Sequence, residues 1–538
     1  MVYLIIGFIF ILALFAIRFS NKYGVPSLLL FIVLGMTFGA VGIEFDNFIF
    51  ADQFATLALM VIMFYGGFGT NWNMAKPVAK EAIVLSSLGV VVTALVTGTF
   101  AHFILGFSLL EGMLIGSVVA STDYASVSNI LRSKNLNLKY NSASLLELES
   151  GSNDPVAYTM TMVFLSLIIG TDVSIPVLIL SQIALGIGVG AALSLVIGKL
   201  LTVLTINSDG LYAVFMAAAM LITFGATDFL GGNGFLAIYI LGIYLGNKEF
   251  KGKRDIIFFY DGFSEIMQIG LFFILGLLSN FTDFITNFPT AIALMVFITL
   301  IARPLSIYGL MLPFKLKNNQ LNLISIAGIR GAAAIAFAIM AVNSDAALSM
   351  DIYHIVFGIC VLSALVQGSI MPYAAKRLEM LDTNDTVLKT FNYYQTKAEI
   401  GFLETKIHAK STLIGMEVKD LNLTFDFIVA KIERNGKTIV PRGHVILKEN
   451  DTIILGGERH FDQTGQNLIE SVIPSGHKWE NKQIKDLRLP SNRLIIMIQR
   501  GLDNIIVPVG ETTVLADDTI IMIEVEHALE FPRMEEKA

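Results

Sequence analysis

Apolar stretches about 20 residues long recur through roughly the first 380 residues of this 538-residue chain. A helix of that length crosses the hydrocarbon of a bilayer. Only spanning helices and closed barrels satisfy every backbone N–H and C=O there. The spacing predicts thirteen spans, at 3–18, 25–42, 53–70, 82–105, 112–131, 144–169, 175–199, 210–228, 233–247, 264–280, 287–312, 320–342 and 352–373. The expected fold is an all-α polytopic membrane domain over 1–380, a linker over 381–400 and an α+β cytoplasmic tail. The tail is marked by a change in charge: acids and bases are sparse up to about Leu381 and dense after it. A chain that is 54% hydrophobic and only 15% charged is not an ordinary soluble protein.

The loops carry an orientation signal. Lysine and arginine follow the odd-numbered spans, from Arg18 and Lys22 through Lys76, Lys80, Arg132, Lys134, Lys139, Lys199, Lys248, Lys251, Arg254 and Lys315 to Lys376 and Arg377. The loops after even-numbered spans carry Glu44, Asp46, Glu111, Asp172, Asp228, Asp283 and Asp345 instead. Cytoplasmic loops are the basic ones, so the N-terminus is expected outside and the tail in the cytoplasm. Met1-Val2-Tyr3-Leu4 has no basic cluster, so the first apolar run reads as a retained span. The single cysteine, Cys360, excludes an intrachain disulfide framework. A net charge of −7 gives no sign of nucleic-acid binding.

Charges inside the spans point to function. An ionised side chain at the hydrocarbon centre costs about 3 kcal/mol or more, so such residues usually have a task. The sixth span holds Glu149-Ser150-Gly151-Ser152-Asn153-Asp154-Pro155. Pro155 has no N–H, which frees an acceptor one turn before Asp154, and Ser150 lies on the Asp154 face. The fifth span clusters small and hydroxyl residues around Asp123, in Ser121-Thr122-Asp123-Tyr124-Ala125-Ser126. The twelfth is rich in small residues and carries Arg330 in Gly328-Ile329-Arg330-Gly331-Ala332. Both compositions allow a helix to unwind at mid-membrane, where freed carbonyls and helix ends can hold a cation. Glu149 is expected to pair with Arg330, because a buried guanidinium needs a carboxylate or carbonyls beside it. Arg303, in Ala302-Arg303-Pro304, reads equally as an anchor near a kinked helix end or as a residue with a task. The bland alternative for Asp123 or Asp154 is a helix–helix hydrogen bond. Tyr65 and Phe235 read as core or lipid-facing rings, and Gly66-Gly67 and Gly231-Gly232 as packing or kink glycines.

This motif set resembles the monovalent cation:proton antiporter superfamily, NhaP-like branch. Asn153-Asp154 resembles its Asn-Asp motif, Thr122-Asp123 its Thr-Asp motif, and Gly328 to Ala332 its second broken helix. Gly232-Asn233-Gly234-Phe235-Leu236-Ala237 and Gln367-Gly368 are also similar. The resemblance implies inverted repeats, broken helices, a homodimer in a bacterial cytoplasmic membrane, and an elevator-like movement. It implies that Asp154 binds K+ or Na+ in exchange for H+, potassium before sodium, supported by Asn153, Asp123, Thr122 and Ser150. It pairs Arg330 with Glu149. It also favours one-for-one exchange, because Asn153 stands where electrogenic relatives have a second aspartate. No catalytic residue or cofactor is implied. Burial penalises a bare carboxylate, so Asp154 is expected to alternate between protonated and cation-bound forms.

The tail contains a repeat. Val418-Lys419-Asp420-Leu421-Asn422-Leu423 aligns with Ile484-Lys485-Asp486-Leu487-Arg488-Leu489, Pro441-Arg442-Gly443 with Pro508-Val509-Gly510, and Asp451-Thr452-Ile453-Ile454 with Asp518-Thr519-Ile520-Ile521. Two copies are expected, at 401–460 and 470–530, each with a short helix and strands such as Phe427–Ile432. Each resembles the TrkA-C domain, which implies a regulatory ligand such as a nucleotide; the bland alternative is a tail that only stabilises or dimerises the protein. No Gly-x-Gly-x-x-Gly follows a strand there, so an NAD-binding companion is not expected. Two other functions compete. A tail-gated potassium channel would need a carbonyl filter, which this sequence lacks. A non-transporting membrane sensor would not need acids and an arginine at mid-depth in three spans.

Overall fold

The computed structural model describes the chain outside residues 1, 24–26, 43–44, 124–125, 128–129, 132–136, 204–208, 249, 251, 383–399, 408–410, 412, 422–426, 435–436, 440, 459–467, 488, 491–492, 501–503, 507 and 525–538. Most of the expected linker, Glu44, Tyr124, Ala125, Arg132, Lys134, Lys251, Asn422, Leu423 and Arg488 therefore lie outside the described residues. The chain forms two compact units, Met1–Lys397 and Ala398–Ala538.

The first unit is helical. Its helices are α1 (Val2–Tyr23), α2 (Ser27–Ala40), α3 (Phe48–Gly69), α4 (Trp72–Leu105), α5 (Leu109–Val118), α6 (Ser142–Ile169) and α7 (Ile175–Val203). After these come α8 (Asp209–Phe229), α9 (Gly234–Gly246), α10 (Lys253–Leu278), α11 (Phe281–Phe314), α12 (Asn318–Ile326), α13 (Ala332–Val342) and α14 (Ile352–Arg377). Among the described residues, seven helices are long and apolar enough to cross a membrane: α3, α4, α7, part of α8, most of α10, α11 and α14. Shorter apolar helices lie in α1, α2, α5, α9 and α13. The 28-residue α6 has the length of a span but carries Glu147, Glu149 and Asp154. Outward faces expose Leu14, Phe15, Leu180, Leu195 and Leu300. Lipid tails are as apolar as leucine, so such faces suit a bilayer. Tyr65 and Phe235 are instead buried in the core.

Two helices are interrupted where small residues cluster. The chain unwinds after α5, over Val119–Asp123, and between α12 and α13, over Ala327–Gly331. The two breaks touch: the Asp123 N–H donates to the Ile329 carbonyl at 2.7 Å. Beside them α6 runs unbroken through Pro155. The start of α6 is tied to the exit of α14. Lys139 N–H donates to Met380 O (2.8 Å), Asp382 N–H to Asn137 O (2.9 Å), and Lys139 Nζ to Glu379 O (2.8 Å).

The second unit holds two antiparallel four-stranded sheets. The first is β1 (Ile400–Lys406), β2 (Phe427–Arg434), β3 (Lys437–Ile439) and β4 (Thr452–Glu458), in the order β1-β4-β2-β3. The second is β5 (Leu468–Val472), β6 (Arg493–Arg500), β7 (Asn504–Ile506) and β8 (Thr519–Glu524), in the order β5-β8-β6-β7. The repeat extends to detail. Each copy has a 3-10 turn (Val418–Asp420, Ile484–Asp486) and a register shift at matching places (Val429/Lys431, Ile495/Met497). Each closes with a two-pronged ion pair. Arg434 Nε and Nη2 lie 2.7 Å from the Asp451 oxygens, and Arg500 Nε and Nη2 lie 2.8 Å from those of Asp518.

These pairs set an acid limit on the tail. The arginine hydrogen bonds hold the Asp451 and Asp518 carboxyls below their ordinary value, against the opposing effect of burial. A carboxyl that binds its proton later when folded stabilises the fold above the unfolded value of about 4, and this contribution fades as pH falls below it. In a Trp72→Phe background, denaturation followed through Trp479 is expected to show this contribution in full from pH 8 to 5 and its loss below about pH 4. Asp518→Asn should cost copy two about 1–3 kcal/mol at pH 7 and flatten that acid loss. An unchanged acid profile in Asp518→Asn would show that the pair does not govern it.

Candidate ion-binding site

The breaks place polar groups around one carboxylate. Asp154 on α6 accepts a hydrogen bond at Oδ1 from Ser121 Oγ, in the first break. Asn153 Nδ2 donates to Thr122 Oγ1 at 2.6 Å, and Ser150 Oγ donates to the Thr122 carbonyl. The first break is therefore stitched to α6 through Ser121 and Thr122. Asp123 turns the other way: its carboxylate accepts from Ser126 Oγ (2.6 Å) and, at 3.4 Å, from the Ser126 N–H. It also lies against Gly331, just before the N-terminus of α13; any Cβ at that position would run into the carboxylate. The positive end of a helix favours an anion there.

Asn153, Ser150 and Thr122 are buried, whereas Asp154 and Asp123 are only half-buried. Among the described residues, Asn153 Oδ1 is buried and has no hydrogen-bond partner. The site thus offers a carboxylate and an unpartnered amide oxygen on consecutive residues. Oxygen donors of this kind suit a hard cation or a proton.

The expected Glu149–Arg330 pair is not formed. Glu149 Oε1 lies 2.7 Å from Nη1 of Arg303, and both side chains are buried. Arg330 Nη1 instead donates to the carbonyls of Ala120 and Ser121, at 2.8 Å each. The cause is the first break. The end of α5 leaves carbonyls without N–H partners, and its dipole is negative there, so it draws the guanidinium. The sequence hint for Arg303 is Pro304. Pro304 cannot donate to a carbonyl one turn back, and the preceding turn, Ile298–Ala302, is widened to a π turn.

Comparison with known proteins shows the family. The family description "Sodium/hydrogen exchanger, transmembrane" matches residues 9–377, and "TrkA-C domain" matches 402–460 and 468–528. The chain belongs to the sodium/hydrogen exchanger family. It is 30% identical over 477 residues to the "K(+)/H(+) antiporter NhaP2" of Shewanella baltica, covering 87% of this chain and 81% of that one. It is also 30% identical to the "K(+)/H(+) antiporter NhaP" of Alkalimonas amylolytica, covering 84% and 80%. Its fold is similar to that of the sodium proton antiporter MjNhaP1 from Methanocaldococcus jannaschii, with a TM-score of 0.62 at 20% identity, covering 70% of this chain and 99% of that one.

Within this family fold, three contacts lie beyond the residues selected from sequence. Ser121 touches the Asp154 carboxylate directly. Asn233 caps α9 through Leu236 N (3.0 Å) and donates to Pro155 O (2.7 Å) and Thr159 Oγ1 (3.1 Å). Arg303 takes the place expected for Arg330. Their only sequence signals are the hydroxyl run at 121–122, the asparagine between Gly232 and Gly234, and Pro304.

The ion pair gives a direct test. Glu149→Gln or Arg303→Met alone leaves one buried charge uncompensated and should destabilise the protein by about 3–5 kcal/mol. The double change should cost clearly less than the sum, and less in proportion than Glu149→Gln combined with Arg330→Met. Thermal unfolding in detergent checks this. Additive losses for the Glu149–Arg303 combination would exclude the pairing.

Proposed function

We propose that this chain exchanges a monovalent cation for a proton across the bacterial cytoplasmic membrane, with potassium preferred over sodium. The observation that carries the reading is Asp154: a half-buried carboxylate clasped by an interrupted helix, beside the unpartnered Asn153 oxygen. The potassium preference rests on the relatives named as K(+)/H(+) antiporters. Asp154 and Asn153 would supply oxygen donors, Thr122 and Ser150 would hold the break in place, and Asp123 would cap it. Glu149 would stay neutralised by Arg303. A bare Asp154 is costly at this depth, so it crosses only with a proton or a cation bound. Each cancels one negative charge, which makes the exchange one-for-one.

The reading includes thirteen crossings with the N-terminus outside, supported by the basic loops at alternate spans. It also includes inverted repeats that place the two breaks against each other, a homodimer in lipid, and an elevator-like movement of the site. The tail would be two TrkA-C domains that regulate transport by binding a ligand such as a nucleotide. The bonds between Met380, Asp382 and the turn before α6 support that role, because they tie the segment leading to the tail to the site helix.

Two measurements test this reading. In proteoliposomes with an internal pH dye, K+ should drive proton movement more strongly than Na+ or Li+. Asp154→Asn should abolish the movement while leaving the protein folded. Substantial exchange by folded Asp154→Asn would overturn the mechanism.

Deleting residues after Asp385 should leave exchange in place and remove part of its dependence on pH or ligand, since the ion-binding residues all precede the cut. A folded truncation with no exchange would place the tail inside the transport machinery. One that matches full length under all conditions would remove its regulatory role.

A further inference from the structure

Glu147 lies seven residues before Asp154 on α6, so the two carboxylates share a helix face about 10 Å apart along the axis. It is buried, with 7% of its surface exposed. It lies on the side of Asp154 nearer the start of α6, where the chain meets the turn at Asn137–Lys139. Its neighbour Glu149 has its charge met by Arg303. Glu147 is within electrostatic reach of Tyr239 of α9.

Tyr239 is 3% exposed. Its ring tip packs on the bare backbone of Gly151: a Cβ there would sit 2.5 Å from Tyr239 Oη, so only glycine admits the ring. The hydroxyl interacts electrostatically with both Glu147 and Asp154, and lies beside the Ser152 and Thr70 side chains. It makes no well-formed hydrogen bond among the described residues. A phenol accepts one hydrogen bond while donating another. A span of about 10 Å is too long for one hydrogen bond, but a hydroxyl against Gly151, between the two positions along the helix, can serve as a station in a path that water bridges.

We propose that Glu147 and Tyr239 form a proton relay between Asp154 and the cytoplasmic end of α6. The proposal rests on the exchange mechanism above. When a cation displaces the proton of Asp154, that proton passes through water to the Tyr239 oxygen, which releases its own proton toward the Glu147 carboxylate. Tyr239 ends neutral, and Glu147 gains the proton that Asp154 loses. Glu147 then releases it toward the cytoplasmic turn. The reverse sequence loads Asp154.

The test compares K+/H+ exchange by wild type, Glu147→Gln, Tyr239→Phe, the double variant and Asp154→Asn in proteoliposomes. Tyr239→Phe keeps the ring on Gly151 and removes only the hydroxyl. Glu147→Gln should lower Vmax about tenfold or more while the KM for K+ stays within about twofold, as expected for lost proton transfer rather than lost binding. Tyr239→Phe should lower Vmax in the same way, the double variant should be no slower than Glu147→Gln, and Glu147→Asp should recover part of the rate. The solvent deuterium effect on Vmax should change in both single variants, which a packing role would not produce. Wild-type Vmax and isotope effect in folded Tyr239→Phe and Glu147→Gln, with Asp154→Asn inactive, would overturn the relay and leave the exchange mechanism standing. A raised KM at unchanged Vmax would also overturn it, by making Glu147 a binding group. Exchange by Asp154→Asn would instead overturn the underlying mechanism.

Discussion

A helix interrupted inside a bilayer leaves carbonyls at one stump and N–H groups at the next, with no bulk water to take them. This chain meets that constraint by placing two interruptions against each other and filling the gap with matched charge. The stump of α5 is met by the Arg330 guanidinium through Ala120 O and Ser121 O. The second break is held by the bond from Asp123 N–H to Ile329 O and by Ser363 Oγ, which accepts from Arg330 N–H at 2.9 Å. The Asp123 carboxylate lies where α13 begins. Each charge thus serves the helix end of opposite sign. The arrangement fixes where Ser121 and Thr122 stand, and so fixes what Asp154 and Asn153 can touch.

The two arginines have separate tasks because their surroundings differ. Arg330 lies in a break, where free carbonyls are already present. Arg303 lies in an otherwise helical stretch and has the Glu149 carboxylate beside it. Arg303, Arg330 and Glu149 remain within electrostatic reach of one another. One acid between two permanent cations does not balance them, so the carbonyls of Ala120 and Ser121 take part of the load. This leaves Asp154 as the carboxylate beside the breaks with neither a cation nor a helix end committed to it among its described contacts.

Much of this was legible in the sequence because membrane constraints act locally. Span length, loop charge and the small-residue runs at 116–126 and 325–334 are each set by the lipid or by the backbone, so they can be read one segment at a time. The tail repeat was legible for a similar reason: a copied domain keeps its turns and the Asp-Thr-Ile-Ile start of an inner strand at a near-constant offset, and the two sheets share strand order and register shift. Pairing was not legible. Glu149 had two intramembrane arginines to choose from, 154 and 181 residues away, and nothing in either segment says which side chain turns inward. The answer depended on the π turn before Pro304, which is a property of packing between α4 and α11: Ser306 Oγ there donates to the Gly89 carbonyl of the facing π turn at 3.0 Å. Asn233 escaped for the same reason, since its contacts with Pro155 and Thr159 join elements 74–78 residues apart.

The half-buried state of Asp154 links this architecture to transport. A carboxylate at this depth cannot stay bare, and a fully exposed one would hold no ion against water. Asp154 accepts from Ser121 and follows Asn153, whose amide oxygen is buried and unpartnered among the described residues, and on the proposed mechanism it sits at a depth where it must be neutralised but can still be reached. On the proposed mechanism a proton and a monovalent cation are equivalent occupants, because each brings one positive charge to one carboxylate. Asn153 matters to this balance in two ways: as an amide it adds no second charge to neutralise, and its oxygen still counts as a cation donor. On the same proposal, the selectivity between K+ and Na+ would rest on how far Thr122 and Ser150 let the first break close around the ion. That is a matter of distance rather than residue type.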